Sequence, residues 1–404
     1  MTLSSRILSG VPIAFCGWTC LTIIAGITGT PAVSQAQQPL NPETLTTLNE
    51  AQAKALVQGK KSLTLPALRE LSPPVAAILA TSKANLTLDG VRTLSPEAAQ
   101  ALAMSQASIE LNGLTKLDPP VANTLAKSKG RLTLKGLTVL DSGPLAQKLA
   151  TQGSVVEMPR IKQVSKDIAG VLAKSRGDLL LPGLEVLDHP GLAKRLATRT
   201  ADPLILNSLK TLTPEACKGF ERTSCNISMG LLTKLDDECT KGFAGHQGAL
   251  DFDSLEEISQ QGLAMLLSNR GSLDLASLKS LGDPPSPEVL KALEKHNFPL
   301  SLSSVKSISP EVAEALKKRT AMVELFGIET LSPEVAETLV NCKSYIWLTE
   351  VGELDAQTAE VLLKHRGQNS GFVFPADLAA RLPSDSARAL ERHKGIHFGT
   401  IIGK

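Results

Sequence analysis

The chain has 404 residues, 42 of them basic and 40 acidic, for a formal net charge of +2. That balance, with no basic block along the chain, leaves no electrostatic footprint for nucleic acid or for an anionic lipid surface. Aromatics are 3% of residues, so the apolar content is aliphatic and suits thin repeated layers better than one large core.

The first segment stands apart. Arg6 is the only charge before Glu43, and an apolar run extends from Ile7 through Ile27, with Cys16, Trp18 and Cys20 inside it. Pro31-Ala32-Val33-Ser34-Gln35-Ala36 follows, with small residues at the two positions a signal peptidase reads. The pattern predicts a signal peptide over 1–36, cleavage after Ala36, and export to the periplasm, cell surface or exterior. The other reading is a retained anchor, because the run is nearly long enough to span a bilayer. Membrane association is expected only in that case.

From Leu40 onward the chain repeats. Leu86 to Ser108 is the clearest unit: Leu86 and Leu88 alternate with Thr87 and Asp89 as in a short half-buried strand. Gly90 allows a turn, Val91 and Leu94 return inward, and Ser95-Pro96-Glu97 reads as cap, first-turn proline and first-turn acid. Ala98, Ala101 and Leu102 then recur at helical spacing, and the next unit begins at Ile109, 23 residues after Leu86. The predicted architecture for 37–404 is therefore a single repeat array of about 15 coils with partial terminal units.

Each unit is marked by the apolar residue ahead of its cap, from Leu48, Leu71 and Leu94 to Leu331, Leu354 and Leu382. Residues are added after Leu140, around Arg199 to Asp202, at Gly282 to Pro285, and between Leu354 and Leu382. The predicted caps are Ser72, Ser95, Asp118, Asp141, Ser165, Asp188, Thr213, Asp236, Ser259, Ser309, Ser332 and Asp355, each able to accept a bond from an orphan helix N–H. Helices of about ten residues follow, too short to persist without packing on the strand layer. Gly130, Gly153, Gly177, Gly248, Gly271, Gly367 and Gly395 are expected to close them in the left-handed conformation. At the ends, Leu40 and Leu45 mark where a strand could begin, and Ile396 to Ile401 reads as a last strand without its helix.

The unit LxLxGLxxLSPEVAxALAxxxG resembles a leucine-rich repeat, specifically a bacterial leucine-rich-like variety of exported proteins, over about residues 40 to 404. The resemblance implies an α/β fold: a right-handed solenoid with a parallel strand ladder on one face and short helices on the other. The ordinary repeat carries an asparagine after the strand that bonds backbone along the ladder. This sequence has Gly90-Val91, Gly113-Leu114 and Gly136-Leu137 in that region instead.

Cleavage would leave Cys217, Cys225, Cys239 and Cys342. Cys217 and Cys239 fall at nearly equivalent places in consecutive coils, so they either bridge in an oxidising compartment or remain small idle thiols. His246, His365 and His393 share a place near a helix C-terminus, where a partly positive imidazole suits the helix dipole. No GxSxG, HExxH, Walker or GxGxxG context occurs, and no metal-ligand spacing, so neither an enzyme nor a cofactor or metal is expected.

The positions free to carry function are the side chains pointing outward from the strands. Asp251, Asp253 and Asp274 are expected to gather in adjacent strands, and Trp347 to project near Phe326 with Glu324 beside them. The aspartates read as a solvated sheet face or as a weak cation site lacking any EF-hand loop. Trp347 reads either as an exposed anchor or as a residue covered by the long step around Asn369 to Ala376. Two functions remain: a non-enzymatic exported module that presents its strand face to a protein, peptide or glycan, or a structural component of the cell envelope without a defined small ligand.

Overall fold

The computed structural model describes residues 40–198, 203–367 and 369–399. The expected signal peptide over 1–36, its expected cleavage site and the added residues Arg199 to Asp202 lie outside the described residues, as do Thr400 and Ile401. Among the described residues no helix is long and apolar enough to cross a membrane.

The fold is a leucine-rich-repeat-like solenoid. Strands of two to four residues stack in parallel, most of them paired with their equivalent in the next coil. Leu86 pairs with Ile109 and Thr87 with Glu110, the register that the 23-residue step demands. The ladder has three runs. Four strands go from Ser62–Thr64 to Leu132–Thr133, two join Val156–Glu157 to Leu179–Leu180, and nine go from Leu204–Ile205 to Ile396–Phe398. Inward leucines such as Leu86, Leu88, Leu102 and Leu111 are wholly buried. Each contributes roughly 1.5–3 kcal/mol of burial, shared between neighbouring coils.

The breaks between runs fall where residues are added. One extra residue lies between Thr133 and Glu157, and there the Gln152 side-chain amide stands in for strand backbone. Leu132 N–H donates to Gln152 Oε1 at 3.1 Å, and Gln152 Nε2 donates to the Leu132 carbonyl at 3.0 Å. At the second break Arg195 donates to the carbonyls of Ser175 and Gly177. A second pair of short ladders precedes the helices there, Val186–Leu187 on Thr211–Leu212 and Lys234–Leu235 on Glu257–Ile258.

Most helices span seven to nine residues, shorter than the expected ten. Caps follow the expectation at Ser95, Ser165, Thr213, Asp236, Ser259, Ser309, Ser332 and Asp355. Asp141 and Asp188 are displaced by the next residue: Ser142 Oγ accepts from Leu145 N–H and His189 Nδ1 from Leu192 N–H, because an added residue moves the helix start by one. Ser72 and Asp118 sit at the cap position without a side-chain bond, both ahead of a Pro-Pro pair. No strand forms at Leu40 or Leu45. A turn over 42–44 leads to the helix Glu50–Val57, closed by a capping box between Asn49 and Gln52.

The closing glycines serve a different purpose from the one expected. Of the seven, only Gly153 has a left-handed backbone, φ 71°. The others are sites of close approach. A Cβ on Gly130 would lie 1.8 Å from the Ala107 carbonyl oxygen, and one on Gly177 would lie 2.0 Å from that of Ser154. At Gly130, Gly177, Gly248 and Gly271 coils touch backbone to backbone, whereas Gly367 and Gly395 lie against the side chains of Ser370 and His365.

Two residues past the strand, a side-chain oxygen bonds backbone along the ladder. Asp89 Oδ1 accepts from Asn112 N–H, Asn112 Oδ1 from Lys135 N–H, and Asn207 Oδ1 from Gly230 N–H, each one coil on. A parallel set ties Asn85 to Ser108, Asn226 to Ala249 and Asn297 to Thr320.

Of the three helix-end histidines, His246 and His365 belong to a buried polar column, while His393 is only half-buried. Ser105, Ser128, Ser175, Thr223, His246, Asn269, His296, Arg319 and His365 recur at the ends of successive helices, all inside. Several of these side chains bond carbonyls of the preceding coil: His296 Nδ1 faces Leu267 O, Arg319 donates to Leu293 O and Phe298 O, and His365 Nδ1 faces Val340 O. Burial lowers the His246 pKa. Its Nδ1 faces Thr223 Oγ1 and its Nε2 faces Cys225 O. The positive imidazole on a helix dipole therefore does not apply to His246.

Candidate functional site

The column opposite the leucines runs Ser228, Asp251, Asp274, Ser301, Glu324, Trp347, Val373, His397, one residue per coil in unbroken register, with Ser301 and Val373 buried within it. The strands fix these positions, because alternation sends their neighbours Leu250, Leu273, Leu300, Val323 and Ile346 into the core.

Asp251 and Asp274 are direct cross-strand partners. Ser228 Oγ lies 2.7 Å from Asp251 Oδ2 and 2.7 Å from Asn207 Oδ1, so one hydroxyl links two coils. Asp253 is exposed on the adjoining column, and its amide donates to Asp251 Oδ1 at 3.2 Å. Burial raises the pKa of the Asp274 carboxyl, and the Asp251 charge beside it acts in the same direction, with a smaller push from Glu324. Hydrogen bonds from Ser301 and the Ala276 amide oppose them. Among the described residues no group of three or more His, Cys, Asp or Glu stands where it could hold a metal ion.

Trp347 and Phe326 come together, ring centroids 6.5 Å apart and planes inclined by 51°. Both are half-buried. The long step after Leu354 does not fold over Trp347 as a loop. It supplies the strand Gly371–Phe374, which extends the ladder and sets Val373 beside the tryptophan. Sequence reasoning missed two further members. Tyr345 shares the outward face with Trp347, and its ladder partner Gly371 has no side chain, so its ring reaches His397 at 5.8 Å. Phe326, Trp347, Tyr345 and His397 line the outer face over four coils. The signal was present in the Tyr-Ile-Trp alternation, but the reach to His397 depends on registering a glycine inside an irregular step.

The charges of the ladder face differ between its ends. In the earlier coils Lys135 bonds Glu157 at 2.7 Å and lies in the field of Glu110 and Asp89, which together raise its pKa. In the later coils the two outward columns from Asn207 to Thr349 contain Asp251, Asp253, Asp274 and Glu324 and no lysine or arginine. None of these four forms an ion pair among the described residues. Charge is compensated elsewhere, along the edge leading into the helices. Lys162 and Lys210 flank Glu185 and bring its carboxyl down to about 2, and Lys234–Glu257, Lys279–Glu256 and Lys306–Glu329 join neighbouring coils.

Cys217 and Cys239 are bonded as a disulfide between neighbouring helices, Cα atoms 5.0 Å apart, both sulfurs buried. Gly242 brings the helices close: a Cβ there would lie 2.3 Å from the Cys217 carbonyl oxygen. Phe220, Phe243 and Phe252 pack beneath, successive centroids 5.3 Å apart. Cys342 is buried and its thiol is pushed up to about 12, which removes it from thiolate chemistry at neutral pH.

No protein-family model and no curated protein sequence matches the chain. Among solved structures it is similar to an internalin from Listeria monocytogenes, at 12% identity over 88% of this chain and 85% of that one, TM-score 0.34. It is also similar to a leucine-rich-repeat protein of Leptospira interrogans, at 18% identity over 87% of each chain, TM-score 0.38. The assignment of a leucine-rich-repeat-like solenoid rests on the chain's own register and buried leucine column.

Proposed function

We propose that the protein is a non-enzymatic, exported binding module whose ladder face, between Asp251 and His397, receives a macromolecular partner. One observation carries the reading: the unevenness of that face. The edge leading into the helices pairs Lys162 and Lys210 with Glu185, Lys234 with Glu257, Lys279 with Glu256 and Lys306 with Glu329, whereas this stretch combines carboxylates that form no ion pair among the described residues with an aromatic group on a rigid strand surface. Half-buried aromatic side chains beside polar neighbours are the residues that dominate binding surfaces. Export is supported by the apolar leader with its small-residue site at Ser34 and Ala36, and by the Cys217–Cys239 disulfide, a bond that persists in oxidising compartments.

The test is site-specific photocrosslinking in intact cells, with the reactive side chain at Ser303 on the ladder face and, as control, at Glu337 on the exposed side of a helix. The expected result is a discrete adduct from position 303 only, abolished by Trp347→Ala with Phe326→Ala. Recovery of nothing but copies of the chain, or the same adducts from both positions, overturns the reading.

A further inference from the structure

We infer that the partner segment is a cationic, extended peptide that lies along the ladder face across the strands, with basic side chains on the carboxylates and an apolar or aromatic side chain on Trp347. The inference rests on the ladder-face reading above and adds the chemistry of the occupant.

Charge complementarity is the first argument. The ladder face contains its own internal comparison. Around Glu157, Glu110 and Asp89 the chain supplies Lys135 from the second outward column. Ser303 stands to Glu324 as Lys135 stands to Glu157, and among the described residues Asp251, Asp274 and Glu324 form no ion pair. Like charges on adjacent strands are unfavourable, and Asp251 and Asp274 are direct cross-strand partners, so the Asp251 charge adds to burial in raising the Asp274 carboxyl. A cation from outside would relieve the repulsion and gain the pair energy that Lys135 gives the earlier coils.

Spacing is the second. Strands are about 4.8 Å apart, so Asp274 and Glu324, two coils apart, are separated by about 10 Å, and Asp274 and Trp347 by about 14 Å. An extended chain advances about 3.3 Å per residue. In the polyproline II form, with about 3.1 Å rise and three residues per turn, residues three apart share a face about 9 Å apart, so the surface matches a peptide with two basic residues about three apart and an apolar or aromatic residue one or two further on. The aromatic faces of Trp347 and Phe326 also attract a guanidinium or ammonium group, which reinforces the preference for basic sequences. An uncharged glycan would stack on the tryptophan but leave the carboxylate repulsion in place.

The experiment selects random decapeptides displayed on phage against the full purified chain, then titrates the enriched peptides and, separately, chitohexaose. The expected outcome is enrichment of lysine or arginine pairs two to four residues apart. Their affinity should fall at least tenfold in Ser303→Lys, which places a competing cation where Lys135 stands in the earlier coils, and likewise in the double variant Asp274→Asn, Glu324→Gln. Ser303→Lys leaves the carboxylates untouched and circular dichroism verifies its fold, so a loss is assignable to charge. Enriched peptides without basic residues, or chitohexaose binding that depends on Trp347, overturn the cationic assignment and leave the ladder face as the binding surface. Failure to enrich any peptide also overturns it. Basic peptides that bind equally well to Ser303→Lys and Trp347→Ala overturn both.

Discussion

Replacing Gln152 with alanine removes the side-chain amide that bonds strand backbone across the first break in the ladder. In the native chain its amide accepts from Leu132 N–H at 3.1 Å and donates to Leu132 O at 3.0 Å, while the Leu132 side chain is buried. Each bond is worth about 1 kcal/mol net, so the pair amounts to about 2 kcal/mol, reduced to the extent that water reaches the vacated space. Gln152→Glu is a sharper perturbation, because the carboxylate keeps the bond to Leu132 N–H but turns an oxygen toward Leu132 O. It should cost at least as much as alanine. Hydrogen exchange read at the Leu132 amide is the appropriate assay, since a solenoid opens locally and a global midpoint averages over coils. Alanine should raise exchange at Leu132 roughly 10- to 30-fold while Leu86 and Leu250 are unchanged. Unchanged protection at Leu132, with a stability change inside the roughly ±0.5 kcal/mol of ordinary surface substitutions, would refute the view that a side-chain amide substitutes for strand backbone there.

Further predictions test other parts of the stack. Gly130→Ala and Gly177→Ala force backbones apart and should lower the thermal midpoint by several degrees, whereas Gly143→Ala, with open space around it, should be neutral or slightly stabilising. His296 is held down to about 4 by burial first and Arg319 second. Its folded pKa lies below the unfolded value near 6.5, so the unfolded state takes up the proton first as pH falls. Stability should be complete above about pH 6.5 and decline toward pH 4, by about 3 kcal/mol from this residue, with His246 adding in the same direction. Urea titrations from pH 4 to 7.5 should show a flatter profile for His296→Asn, since Asn269 already occupies the equivalent place in the preceding coil. Reduction of Cys217–Cys239, which closes a segment of 22 residues, should cost up to roughly 3 kcal/mol. An unchanged denaturation curve with and without reductant would contradict a stabilising bridge.

The repeat was legible because its leucines, caps and prolines recur at one period, and a 23-residue step can only register coil on coil. What escaped the sequence did so for local physical reasons. Ser142 and His189 displaced Asp141 and Asp188 as caps because an added residue between two polar candidates does not announce which one begins the helix. The glycines looked like left-handed terminators, yet a residue without Cβ suits positive φ and close backbone approach equally, and only the distance from Gly130 to Ala107 O separates the two. Arg319 and His296 were overlooked because a polar residue at a helix end normally reads as surface, whereas each here caps carbonyls of the coil before it. At the candidate site, Trp347, Phe326 and the aspartates followed from alternation alone. Tyr345 and His397 joined them only through Gly371, whose register depends on an irregular step.

The most direct measurement of the central claim is the affinity of the crosslinked partner, once identified, for the intact chain and for Trp347→Ala with Phe326→Ala, at matched fold and thermal midpoint. A central aromatic pair of this kind should be worth about 2–4 kcal/mol, or a loss of roughly 30- to 1,000-fold. Equal affinity for both proteins would contradict the assignment of the ladder face as the binding surface.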